Sequence, residues 1–192
     1  ERIARWGQML SGMMSPEGKP EALDDTLVLD LSYANYAGLT AAGLLAEAGA
    51  EVIKVEPPEG DPARVVTPFG VHKNEMGLSY LVESRNKRHI TLDFASEADR
   101  EKLRRLASKA QVLIETYAPG ELDAIGVGYR QLREINPGLI YVALTPYGHS
   151  GARAKTYGRI PWSDLTSQAE SGLAAILGDL PESKRIAYVG SY

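Results

Sequence analysis

Apolar residues recur along this chain with two different periods. Short runs at residues 27–31 (LVLDL), 52–55 (VIKV), 90–92 (ITL), 112–114 (VLI) and 139–144 (LIYVAL) are too brief for helices, and predict strands buried on both faces. Between them the spacing becomes helical. Residues 40–48 are rich in Ala and Leu and end at Gly49, a residue free to turn left-handed after a last helical turn. Ser96 opens a helix in which Leu103, Leu106 and Ala107 face the sheet while Asp99, Arg100, Lys102 and Arg105 face water. Residues 77–84, 122–125 and 129–135 give shorter helical pieces, and 163–177 a longer one with Leu165, Ala169, Leu173 and Ile176 along one side. Strand alternating with helix four times over predicts an α/β fold, an open parallel sheet with flanking helices.

The ends of the chain read differently. Residues 1–14 place Ile3, Trp6, Leu10 and Met13 or Met14 near helical spacing, as in a short amphipathic arm for packing or dimer contact. Residues 15–25 are turn-rich and polar, a linker. The expected division is therefore an arm and linker at 1–25 and an α/β domain at 26–192, which closes on a strand-like YVGSY.

Residues 27–56 form the organising unit: strand, turn, helix, strand. A crossover of this length joins parallel strands, and ligands of such sheets sit at the carboxyl ends of the strands. Those ends are residues 32–38 and 56–60. Residues 57–70 hold four prolines and two glycines, which predicts a surface loop without helix, and residues 145–158 form a second Gly-rich loop.

Composition narrows the chemistry. The 192 residues are 44% hydrophobic and carry a net charge of −4, with no general attraction for nucleic acid or anionic membrane. The absence of cysteine excludes disulfides, zinc–thiolate sites and cysteine nucleophiles, and fits a cytoplasmic location. No apolar run approaches bilayer length, no secretory segment opens the sequence, and residue 1 is not Met, so it is expected to lie inside a longer chain. The first turn, SYANYAG, is not GxGxxG, which weakens a nicotinamide reading although Glu56 stands where a ribose-binding acid would; a structural Glu fits equally. No P-loop and no GxSxG elbow occur, and His72, His89 and His149 lack a second ligand at metal spacing. The cluster Arg85, Lys87 and Arg88 precedes the strand at 90–92 and reads either as a phosphate contact or as a solvated charge run.

Taken together, LDLSYANYAG, LLAEAGAEVIKVEPPEGDPAR, RNKRHITLDF, AQVLIETYAPGELDAIGVGY, INPGLIYVALTPYGHSG and SDLTSQAESGL, in this order, resemble the class III CoA-transferases, the CaiB/BaiF family of formyl-CoA and carnitine CoA-transferases. The resemblance covers residues 26–192. It implies a Rossmann-like sheet, a chain about twice as long that interlocks with a second subunit as a dimer, and acyl-CoA and carboxylic acids as substrates with no metal. It also implies a CoA path along Tyr36, Ala37 and Gly38, past Leu92 and Ala95, and along Thr116, Tyr117 and Ala118, with Asn86, Lys87 and Arg88 nearby. Residues 32–38 are expected at the thioester end and 56–60 beside the nucleotide.

In that family an Asp carboxylate attacks the donor thioester and passes through anhydride and aspartyl-CoA states, which is nucleophilic catalysis. The matching position here is Ser191, given a loop two residues shorter around 179–183. Tyr36 replaces the Gln of the family's QAGP turn, Leu39 its Pro, and Ala124 the Arg after PGxL. The related α-methylacyl-CoA racemases need a His and an Asp where this chain has Ser163 and Ser191, which disfavours racemisation. Asp164 remains as a substitute carboxylate or, more plainly, a helix cap. The resemblance thus implies a CoA-transferase subunit without its own nucleophile, paired with a homologous catalytic subunit as in heteromeric members such as succinyl-CoA:(R)-benzylsuccinate CoA-transferase. The alternatives are an active homodimer using another carboxylate and a non-enzymatic CoA-binding homologue.

Overall fold

The computed structural model describes residues 5–7, 9, 11, 20–67, 70–160 and 164–176. Its centre is a five-stranded, wholly parallel sheet of β1 (Leu27–Leu31), β2 (Glu51–Glu56), β5 (Lys87–Thr91), β6 (Val112–Glu115) and β7 (Ile140–Ala143). A two-residue hairpin, β3 (His72–Lys73) with β4 (Met76–Gly77), lies apart from it. The strand order is β5-β2-β1-β6-β7. The chain therefore winds outward from β1 in both directions, and the order reverses between β1 and β6. That reversal opens a crevice at the carboxyl ends of those two strands.

Helix α1 (Tyr36–Glu47) connects β1 to β2. It starts four residues before the Ala/Leu-rich stretch because Asn35 caps it, accepting from the N–H groups of Ala37 and Gly38. The helix ends as expected, with Gly49 at φ +100°. A short helix α2 (Leu78–Glu83) precedes β5, and α3 (Glu97–Ala107) crosses to β6. Ser96 holds the cap position of α3 without a side-chain cap bond. Helices α4 (Glu121–Ala124) and α5 (Tyr129–Ile135) connect β6 to β7.

Period-two alternation sorts the strand residues onto two faces. On one face Leu29, Leu31, Val55 and Leu113 meet Leu103, Ala107, Leu122, Val127 and Leu132, an all-hydrocarbon layer. On the other, Val28, Val52 and Ile114 meet Ala42 and Ala46 of α1. Small residues let α1 approach closely. A Cβ added at Gly38 would stand 2.6 Å from Ser32 Cβ and 2.8 Å from Thr116 Cγ2.

Several expectations are corrected. Lys87 and Arg88 lie within β5 rather than before a strand, because pairing with β2 starts at Lys87↔Val52. Residues 57–70 do contain a helical turn, the 3₁₀ segment Pro62–Val65: Asp61 caps it, and Pro62 sits in the first turn, where its missing N–H costs nothing. The second Gly-rich loop contains helix α6 (Gly151–Tyr157). The helix expected at 163–177 is divided into α7 (Asp164–Ser171) and α8 (Leu173–Ile176) by Gly172 at φ +80°. Leu165, Ala169, Leu173 and Ile176 are exposed, and among the described side chains there Gln168 and Ala174 are buried. Of residues 1–14 those described are helical. The linker at residues 15–19, the expected strand at 185–192, Ser163 and Ser191 lie outside the described residues.

Candidate functional site

The loops at the carboxyl ends of β1, β2, β5 and β6 enclose a cleft of about 330 Å³. Its walls are Tyr33, Pro57, Pro58 and Glu59 on one side and Asp93, Phe94, Ala95, Tyr117, Glu121, Leu122 and Ile125 on the other. Three aromatic rings dominate it. Tyr33 stacks on Tyr117 with ring centroids 6.2 Å apart and planes at 13°, and Phe94 meets Tyr117 at 6.1 Å. Such faces accept a flat or aliphatic group. The charged side chains lining the cleft are carboxylates, Glu59, Asp93 and Glu121.

Each wall is held by a side chain behind it. Thr116 Oγ1 accepts from the Tyr33 N–H at 2.9 Å and donates to the Tyr33 carbonyl at 3.2 Å, joining the turn after β1 to the end of β6. Arg100 of α3 donates to the carbonyls of Phe94 and Ala95 at 2.5 and 3.1 Å. Glu115, buried at the end of β6, accepts from the Tyr117 N–H at 2.6 Å and from the Tyr141 hydroxyl at 3.4 Å. Burial raises its carboxyl to about 7 despite those bonds, with Glu121 and Asp123 adding repulsion. His149 of the second Gly-rich loop approaches it to 3.8 Å.

Glu56, at the end of β2, has the opposite environment. Burial would raise it, but bonds from His89, Arg64 and Tyr80 hold it at about 2. Arg64 binds it with both Nε (3.0 Å) and Nη2 (2.6 Å), and the Tyr80 hydroxyl donates to its other oxygen. Glu56 is thus fully engaged as a structural acid, and is not free to accept a ribose hydroxyl.

Beneath the loops after β1 and β2 lies a buried ionic group. Lys54 is wholly enclosed, 3.2 Å from Asp61 Oδ2 and 3.9 Å from Asp30 Oδ1, and donates to the Ser32 carbonyl and, at 3.2 Å, to its hydroxyl. Lys87 donates to Asp30 Oδ2 at 2.9 Å and to the Leu39 carbonyl at 2.6 Å. Its pKa is lowered by burial against the pull of Asp30.

The expected site residues divide accordingly. Ala95 and Tyr117 line the cleft. Thr116 and Gly38 stand behind it, and Leu92 points its side chain into the hydrocarbon layer. Ala37 is exposed at the start of α1, and the Ala118 N–H is taken by Glu121 at 3.1 Å. Tyr36 turns away, donating to the carbonyls of Ala63 and Val66 at 3.0 and 3.3 Å. Asn86, at φ 60°, opens β5 at the amino end of the sheet. Lys87 is enclosed, Arg88 pairs with Glu51 at 2.8 Å, and Arg85 pairs with Glu47 at 2.5 Å, so this cluster does not reach the cleft. Asp164 begins α7. Sequence reading missed Glu121, Leu122 and Ile125 as walls; the PGxL pattern just before Ala124 was the available signal.

A doubly wound parallel sheet with an aromatic cleft at its reversal point defines a class of α/β proteins that bind ligands across strand ends. The chain belongs to CoA-transferase family III, whose family model it matches over residues 23–190. It is 37% identical over 170 residues to a probable fatty acyl-CoA transferase of Mycobacterium tuberculosis, covering 88% of this chain and 42% of that protein. It is 41% identical over 151 residues to a subunit of the succinyl-CoA:(R)-benzylsuccinate CoA-transferase of Thauera aromatica, covering 75% and 35%. A crystal structure of a CaiB/BaiF family protein from Brucella suis superposes with a TM-score of 0.78 at 34% identity, covering 90% of this chain and 44% of that one. The chain thus spans about two fifths of the length of the curated relatives it matches.

Proposed function

We propose that the protein transfers coenzyme A from an acyl-CoA donor to a carboxylic acid acceptor. The observation that carries this reading is the cleft of Tyr33, Phe94 and Tyr117 at the β1/β6 reversal. Its aromatic and proline walls suit the planar and aliphatic parts of CoA, and its carboxylate rim leaves the phosphates to solvent or to parts of the protein beyond this chain. Family membership supports the reaction class.

In the proposed cycle a carboxylate attacks the thioester carbonyl, forming a mixed anhydride as the CoA thiolate leaves. The thiolate then attacks the enzyme-side carbonyl of the anhydride, releasing the donor acid and forming an enzyme–CoA thioester. The acceptor carboxylate repeats the exchange in reverse order and departs as the new acyl-CoA. Ser191 stands where the resemblance puts the nucleophile, and a serine hydroxyl cannot form that anhydride. This chain therefore acts as the subunit that lacks the nucleophile, in an interlocked dimer with a homologous subunit that has it. Subunits of heteromeric enzymes among the relatives support the pairing.

Purification from the native host tests the assembly: a second homologous subunit is expected to copurify, and a homogeneous, fully active homodimer sinks the pairing. Trapping decides between that and a substitute carboxylate. After incubation with acyl-CoA and hydroxylamine, mass spectrometry is expected to find the hydroxamate on the partner; an adduct on Asp164 would establish the homodimeric alternative. CoA binding without exchange in any pairing would leave a non-enzymatic binding homologue.

A further inference from the structure

The turn after β1 carries Tyr33 into the cleft, yet it has no glycine to relax it. Ala34 stands at φ 50°, in the left-handed region that L side chains adopt at an energetic cost. What holds it is Asp61, from the loop after β2. Asp61 is 4% exposed, and its Oδ1 accepts from both the Ala34 N–H and the Ala63 N–H at 2.9 Å. Its Oδ2 is fixed by the enclosed Lys54 at 3.2 Å, and Lys54 in turn grips the Ser32 carbonyl. One carboxylate thus ties the Tyr33 wall to the strand and loop that carry the Pro57–Pro58–Glu59 wall.

We infer that Asp61 is a positioning residue for the ligand cleft: paired with Lys54, it locks the left-handed turn at Ala34 and so sets the distance between the two walls. The inference rests on the reading of the cleft as the CoA site. Asp61 does not itself line the cleft, so its removal acts through Tyr33. The tie is directional as well as electrostatic, since both carboxylate oxygens are used and the carboxylate itself is buried.

The test is coenzyme A binding by isothermal titration calorimetry on the full-length protein in its native assembly, alongside thermal unfolding. Asp61→Asn keeps the shape but loses the charge against Lys54, and is expected to weaken CoA about tenfold. In the double variant with Lys54→Met the loss is expected to match that of Asp61→Asn alone, because the two act as one unit. Ala34→Gly in the Asp61→Asn background removes the cost of the left-handed turn that the tie offsets, and is expected to recover about threefold of the lost affinity, a rescue that a merely structural role would not produce. A folded Asp61→Asn variant with wild-type CoA affinity overturns the inference. Should that variant not fold, Asp61→Glu, which keeps the charge but displaces both oxygens, takes its place, and wild-type CoA affinity in it overturns the inference equally. Wild-type protein that binds no CoA would instead overturn the reading of the cleft itself.

Discussion

The two faces of the sheet solve the same burial problem in opposite ways. Toward α3 the strands present Leu29, Leu31, Val55 and Leu113, and the layer is closed mainly by hydrocarbon, with Glu115 at its edge. Toward α1 the same strands present Val28, Val52 and Ile114 against Ala42 and Ala46, but also Asp30, Lys54 and Glu56, with Lys87 from β5, so that toward the carboxyl ends of the strands this face is held by ion pairs and directional bonds. Two glutamates at strand ends make the contrast concrete. Glu56, on the ionic face, is held at about 2, and Glu115, on the hydrocarbon face, is raised to about 7. A hydrocarbon layer tolerates small shifts of register, whereas a buried ion pair is satisfied in one geometry. The ionic face is thus suited to hold loops, and it lies under the turns that carry Tyr33, Pro57, Pro58 and Glu59, while the hydrocarbon layer backs the wall of Phe94, Tyr117, Leu122 and Ile125.

The largest expected effect breaks the ionic face. Lys54→Met leaves Asp30 and Asp61 without their shared cation and is expected to lower stability by about 3–5 kcal/mol in urea unfolding, the usual loss when one partner of a buried pair is removed. Leu113→Ala on the opposite face is expected to cost about 2–5 kcal/mol through lost transfer energy and a cavity. The comparison sharpens in CoA affinity: Lys54→Met should weaken it about tenfold in the folded fraction, as Asp61→Asn does, while Leu113→Ala should change it less.

The pH dependence separates the faces by sign. The folded-state value of Glu56 lies below its ordinary 4.5, so it contributes stability that is present above about 4.5 and is lost as pH falls toward 2. The folded-state value of Glu115 lies above its ordinary 4.5, so the folded state binds more protons there, and stability falls as pH rises from about 4.5 to 7. Glu115→Gln is expected to flatten the urea midpoint across that window, and Glu56→Gln to leave that window unchanged. The smallest effect belongs to Arg88, whose pair with Glu51 is solvent-exposed. Arg88→Ala is expected to change stability by about 0–1 kcal/mol and CoA affinity by less than twofold; a tenfold loss of affinity would place a phosphate contact at β5 after all.

Much of this was legible in the sequence because it is local. The apolar runs at 27–31 and 112–114, the helical spacing before Gly49 and the Ser96 helix each depend on neighbours within a turn or a strand, and the structure reproduces them within a few residues. The cationic cluster Arg85, Lys87 and Arg88 was misplaced for the same reason. Nothing near Lys87 in sequence announces that Asp30, 57 residues away, will enclose its ammonium. A charge that reads as solvated in one dimension becomes an interior pair once β5 docks beside β2. Tyr36 likewise stands beside the first turn yet points to Ala63 and Val66.

The amino-acid order by itself determined the alternation of strands and helices, the loops that would meet a ligand and the family pattern, because periodicity and motif spacing are properties of the chain. Only the tertiary structure decided the strand order, the reversal between β1 and β6 and the assignment of Lys54, Asp61 and Lys87 to the interior. Those depend on parallel pairing between segments far apart in sequence, and on which side chains the docking of α1 shuts off from water.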